Sequence, residues 1–91
     1  MNLEIKAITL DRPSDMDYLN EVIVSRSRES SSITIDLEDV DTINLATFNS
    51  LIVLYVKLRR MGKSVRFTNC HAPRVKDLIT KTHFSHVFYS K

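Results

Sequence analysis

Between Ile33 and Leu58 the apolar residues change their period once, from two to between three and four. Ile33, Ile35 and Leu37 alternate with Thr34 and Asp36, the pattern of a strand with one buried face. Leu45, Phe48, Leu51, Ile52, Tyr55 and Leu58 then recur at helical spacing. Val53, Leu54 and Val56 widen that stripe, which predicts a helix buried on more than one side. The same switch occurs upstream. Leu3, Ile5 and Ala7 alternate, followed less regularly by Ile8 and Leu10, and then Met16, Leu19, Val22 and Ile23 take helical spacing. Asp11-Arg12-Pro13-Ser14 breaks the first strand, and Ser14 or Asp15 can cap that helix. The serine-rich stretch Ser25 to Ser32 reads as a loop.

Downstream, Val65 and Phe67 mark a third strand. Pro73 opens a helix with Val75, Leu78 and Ile79 on its apolar face. Val87-Phe88-Tyr89 predicts a short closing strand. Gly62, the only glycine, follows a cationic last turn at Arg59-Arg60-Met61, the expected stop for the long helix. Strands alternating with helices predict an α/β sandwich. We expect a single domain over residues 1–91, with an about four-stranded mixed sheet packed against helices.

The chain has 91 residues, enough for one core and too few for two. Apolar residues are 43% and charged residues 26%, ordinary globular values. No cationic start leads into an apolar signal core, and no apolar run is long enough to span a bilayer. With Cys70 as the single cysteine, no internal disulfide forms, so the expected compartment is the cytoplasm. Met1–Val56 carries 4 basic and 10 acidic residues, and Lys57–Lys91 carries 9 basic and 1 acidic. That asymmetry steers a partner only if the fold keeps the two halves apart.

Several chemistries find little support. Cys70-His71 is the only adjacent nucleophile and base, but sequence neighbours rarely form a catalytic pair, and no signature surrounds them. Cys70, His71, His83 and His86 lack the paired spacing of a structural zinc site. One glycine excludes a glycine-rich phosphate loop. Asp36, Glu38, Asp39 and Asp41 lack the spacing of a calcium loop. Lys57, Arg59, Arg60, Lys63 and Arg66 form a basic run, but no aromatic residue interleaves it, and cations are favourable at a helix end in any case. We expect no enzyme, no metal and no cofactor.

The stretch from Ile33 to Asn44, "ITIDLEDVDTIN", resembles the central strand and following loop of the STAS domain family, which includes anti-sigma-factor antagonists. The family pattern is an apolar strand ending in Asp-Leu, a short bend, Ile-Asp-Ser-Ser-Gly and a long apolar helix. "KLRRMGKSVRF" from Lys57 to Phe67 is similar to the family's helix end, glycine and next strand, and "PRVKDLI" from Pro73 to Ile79 to its final helix. The resemblance covers most of Ile33 to Phe88. It implies a partner switch, in which the unphosphorylated domain binds a kinase-like regulator and phosphorylation of the second loop serine breaks the complex. Ile43 stands at the family's apolar position, Asn44 at its aspartate, Leu45 at the first serine, Ala46 at the phosphoacceptor and Thr47 at the glycine. Four of these five positions depart from the pattern. Ala46 has no hydroxyl to modify. Thr47 offers either a displaced acceptor or a cap for backbone N–H groups, and capping is the commoner role there.

The resemblance therefore implies a non-catalytic protein-binding module of the partner-switching type. It would bind a regulatory partner through Asn44, Leu45, Ala46, Thr47, Asn49 and Ser50, without phosphorylation at the usual position. An alternative partner is a subunit of a transport ATPase, of lipid-transport type, served by a small accessory STAS-like protein. A further alternative is nucleic-acid binding by residues 57–66, which the points above disfavour. The expected state is a monomer, or a weak homodimer through an exposed edge strand such as Leu3–Leu10.

Overall fold

Three short strands in a row, each with two apolar residues on the same side, set the geometry of this protein. The computed structural model describes residues 2–7 and 9–89. The elements in order are β1 (Asn2–Lys6), α1 (Pro13–Arg26), β2 (Ser32–Asp36), α2 (Leu45–Arg60), β3 (Ser64–Thr68), α3 (Pro73–Lys81) and α4 (Ser85–Phe88). The sheet has three strands in the order β1-β2-β3, and both pairings are parallel. The register stacks Leu3, Ile33 and Val65 in one row and Ile5, Ile35 and Phe67 in the next. All six are buried.

The helices add Met16, Leu19, Ile23, Phe48, Leu51, Leu54, Leu58, Val75 and Ile79 to the same core. The opposite sheet face carries the rows Asn2-Ser32-Ser64, Glu4-Thr34-Arg66 and Lys6-Asp36-Thr68, none of them buried. Parallel sheets are usually covered on both faces. Here one face is polar, so water can cover it.

Two features correct the sequence expectation of a four-stranded mixed sheet. The expected closing strand at Val87-Phe88-Tyr89 is instead the single helical turn α4, and the described sheet is parallel throughout. A strand would point Val87 and Phe88 to opposite faces. Both are buried, because Phe88 stacks on Phe67 of β3 at 4.4 Å and on Phe48 of α2 at 5.5 Å between centroids. A helical turn lets neighbouring residues enter the core together. The continuation of the first strand through Ile8 lies outside the described residues, but Leu10 forms an isolated parallel bridge with Ile43.

The expected double-sided burial of α2 is also overturned. Leu54 is buried, but Val53 is 66% and Val56 41% exposed. The opposite sheet face is polar and unburied, and among the described residues nothing covers α2 at Val53 and Val56.

The stops and starts follow local chemistry. At the end of α2, Gly62 N–H donates to the Arg59 carbonyl at 3.0 Å and Lys63 N–H to the Leu58 carbonyl at 3.1 Å, the bond pair of a Schellman motif. Gly62 takes φ +81°, which a side chain resists. Lys63 Nζ then donates to the Ser27 and Ser30 carbonyls, both at 2.7 Å, tying the start of β3 to the end of α1. The cap of α1 differs from expectation. Arg12 occupies the cap position, Pro13 the first helical position, and the Asp15 carboxylate reaches back to the Arg12 N–H at 3.0 Å.

Two substitutions test this packing. Phe88→Ala should lower unfolding free energy in urea by about 3–5 kcal/mol, because it empties the contact between α2 and β3. Gly62→Ala meets no atom within 4 Å of the added Cβ. Its cost should therefore be the backbone strain alone, about 1–2 kcal/mol.

Candidate functional site

Asn44 closes the first turn of α2. Its Oδ1 accepts from the Thr47 N–H at 2.8 Å, the usual N-cap bond, and its Nδ2 donates to the Asp11 carbonyl at 2.7 Å. The cap is therefore Asn44, and Thr47 serves another purpose. Thr47 is 2% exposed, and its hydroxyl donates to the Leu10 carbonyl at 2.7 Å, with Asn44 O and Oδ1 each 3.1 Å away. Thr42 adds a third link, its hydroxyl donating to Asp11 Oδ1 at 2.8 Å. Together with the Leu10–Ile43 bridge, these bonds fasten the segment after β1 to the segment before α2.

Asp15 completes the fastening. Its Oδ2 accepts from the N–H groups of Asp11 and Arg12 at 3.1 and 3.0 Å. The Arg12 N–H bond is the main reason its carboxyl sits below the ordinary 3.8, against an opposing desolvation effect.

The remaining residues at this helix start point outward. Leu45 is 55% exposed, and Asn44, Ala46, Asn49 and Ser50 are exposed as well. The Ser50 hydroxyl donates to the Ala46 carbonyl at 3.1 Å, a bond within the helix. Asn44, Ala46, Thr47 and Ser50 border a depression of about 170 Å³ shared with Asp17 and Asn20 of α1. Four of the six sequence-expected residues thus share one depression, with Thr47 turned inward, while Leu45 and Asn49 are exposed outside it. Asp17 and Asn20 were missed. Both are polar residues on the outer side of a helix, and no sequence signal ties them to residues near position 46.

The other candidates scatter or close up. Cys70 is buried, and burial raises its thiol pKa above the ordinary 9.0. A reactive thiol needs the opposite shift. Among the described residues, no three His, Cys, Asp or Glu side chains gather where a metal ion could be held. In the acidic bend, Asp36 Oδ1 accepts from Glu38 N–H at 2.9 Å and Asn69 Nδ2 at 3.1 Å, and Asp39 lies 3.4 Å from Lys6 Nζ. The basic run divides. Lys57 and Arg60 border a depression on the outside of α2, Arg59 and Arg66 border another beside Asn2 and Ser64, and Lys63 holds the carbonyls of Ser27 and Ser30. No helix of the described residues is long and apolar enough to cross a membrane.

The described residues form a small α/β domain with a three-stranded parallel sheet and a side-chain-capped helix start after β2. The family model of the STAS domain matches residues 13–91, and the chain belongs to that family. The match begins at α1 and leaves β1 outside it. STAS domains are generally non-catalytic, often mediate protein–protein contacts, and include anti-sigma-factor antagonists. Searches of curated proteins and of solved structures give no significant match.

Removing the inward hydroxyl should loosen this site without touching its surface. Thr47→Val leaves the Leu10 carbonyl without its donor, a loss of about 1–3 kcal/mol by urea unfolding. The acid limb provides a second test. Because the Asp15 carboxyl is depressed below 3.8, its contribution to stability is present above that pH and fades as pH falls through the folded value. The stability difference between the parent chain and Asp15→Asn should therefore be full at neutral pH and shrink below about pH 3.8, as followed by circular dichroism.

Proposed function

We propose that this chain is a non-catalytic protein-binding module of the partner-switching type. It docks a regulatory, kinase-like protein partner of the anti-sigma-factor type through the start of α2. Leu45, Ala46, Asn49 and Ser50 make the contact, with Asn44 at its edge and Thr47 beneath it. The observation that carries this reading is the division of labour within one helical turn. Asn44 and Thr47 spend their polar groups on Asp11, Leu10 and the helix itself, while Leu45, Ala46, Asn49 and Ser50 are exposed, with the Ser50 hydroxyl bonded to the Ala46 carbonyl. A preformed face of this kind binds without first ordering itself, which lowers the entropic cost of association.

The switch of the family is absent from its usual place. Ala46 is exposed where a phosphoacceptor would stand, but it has no oxygen to carry phosphate. Thr47 has the oxygen, but a transferring enzyme would have to pull it away from Leu10 first. The complex is accordingly constitutive at this loop, and its control lies with partner abundance or with the partner itself.

Affinity capture from native extract tests the reading. A partner retained by the parent chain should be lost with Ala46→Glu, since an added charge at a packed interface must be desolvated without a counter-charge. Undiminished capture by Ala46→Glu would remove this face from consideration. The identity of the retained protein separates a kinase-like regulator from a transport-ATPase subunit, and intact mass should show no phosphate on the captured chain.

A further inference from the structure

The outer side of α2 stays uncovered along its length. Leu45, Val53 and Val56 are 55, 66 and 41% exposed, and Met61, just past the helix, is 59% exposed. Positions 45, 49, 53, 56 and 60 follow one another at three- and four-residue steps, so they lie on one stripe. Toward its C-terminal end the stripe opens into a shallow depression of about 540 Å³, lined by Ile52, Val53, Val56, Lys57, Arg60 and Met61. Scattered surface valines need no explanation, but an apolar patch of Ile52, Val53, Val56 and Met61 rimmed by Lys57 and Arg60 has the make-up of an interaction surface.

The charge around the strip identifies what fits it. α2 contains no Asp or Glu, while Lys57, Arg59 and Arg60 crowd its last turn. Among the described residues, neither Lys57 nor Arg60 pairs with a carboxylate. The sheet order follows the chain order, so the basic C-terminal part of the sequence is not interleaved with acidic strands. We infer that this stripe receives an amphipathic helix of a partner protein, whose apolar ridge is flanked by Asp and Glu. The inference rests on the proposed function, because the stripe begins at Leu45 and Asn49 of the proposed face, and it adds the partner's chemistry.

Other occupants fit less well. In a second copy of this chain, α2 against α2 in parallel would bring the cationic turns together. Antiparallel pairing would set them against the start of the partner helix, whose first turn has no acidic residue of its own and whose neighbour Asp17 lies beside Ala46 and Ser50 rather than beside Leu45 and Asn49. A lipid surface attracts cations too, but interfacial helices insert bulky aromatic or leucine side chains. This stripe offers no aromatic side chain, and its one leucine, Leu45, is cut off from Val53, Val56 and Met61 by Asn49. A helix lying along α2 from position 45 to 61 needs about 24 Å, or roughly 16 residues.

The test uses the whole chain and two synthetic helical peptides of that length with identical leucine ridges, one flanked by glutamates and one by lysines. Amide shifts on titration should map to residues 45–61, with the glutamate peptide about tenfold or more tighter and weakened by added salt. Val56→Asp and the pair Lys57→Glu with Arg60→Glu should each abolish that preference, while circular dichroism reports an unchanged fold. Equal binding of both peptides, or shifts mapping elsewhere, overturns the inference. So does tighter binding to phosphatidylglycerol vesicles than to the glutamate peptide, or a dimer by sedimentation that Val56→Asp dissolves. Native capture separates this inference from the reading beneath it. Capture lost with Ala46→Glu but kept with the Lys57/Arg60 reversal leaves the helix start standing and defeats the acidic-helix partner. Capture lost with both supports the two together.

Discussion

The bond from the Thr47 hydroxyl to the Leu10 carbonyl, 2.7 Å long and buried, holds two parts of the chain together that nothing local would join. Thirty-seven residues separate its ends. Leu10 has just left β1, and Thr47 sits in the first turn of α2. A carbonyl left unpaired at that depth would be destabilising, so the contact has a strong reason to persist. Asn44 and Thr42 then bind Asp11 from the same side, and Asp15 gathers the Asp11 and Arg12 N–H groups. The helix start is consequently fixed relative to the sheet and to α1. Its outward residues are thereby presented in one arrangement.

The same fastening sets what this helix start exposes. Ala46 stands in the open, and the Thr47 hydroxyl is turned to the core. The same helix, buried on one side only, exposes Val53 and Val56 on its outer side next to the cations of its last turn. One element thus carries the core contact on its inner side through Phe48, Leu51, Leu54 and Leu58, and an unoccupied surface on its outer side.

Much of this was legible in the residues. Period-two apolar pairs located all three strands, and Gly62 after a cationic turn located the end of α2. Asn44 to Ser50 could be placed at a helix start because a strand ends and helical spacing begins on either side of it. The orientation of Thr47 could not be read, since its partner is a backbone carbonyl brought in from another element. Val87-Phe88-Tyr89 has the composition of a strand, and only the stacking of Phe88 between Phe48 and Phe67 decides for a helical turn. The exposure of Val53 and Val56 was equally hidden. A stripe wider than one face reads as deep burial until the layer count shows that, among the described residues, nothing covers the outside of the helix. Asp17 and Asn20 reach the site by the packing of α1 beside α2.

The central claim is that the start of α2 is held as firmly as the core, and amide hydrogen exchange measures this directly. The Thr47 and Phe48 amides donate to Asn44 Oδ1 and to the Asn44 carbonyl. If the fastening to Leu10 and Asp11 holds, both should exchange only through the large openings that also expose Leu51 and Leu54, with protection of the same order. Exchange of Thr47 and Phe48 orders of magnitude faster than that of Leu51 would mean a loop that frays on its own, and would contradict the account.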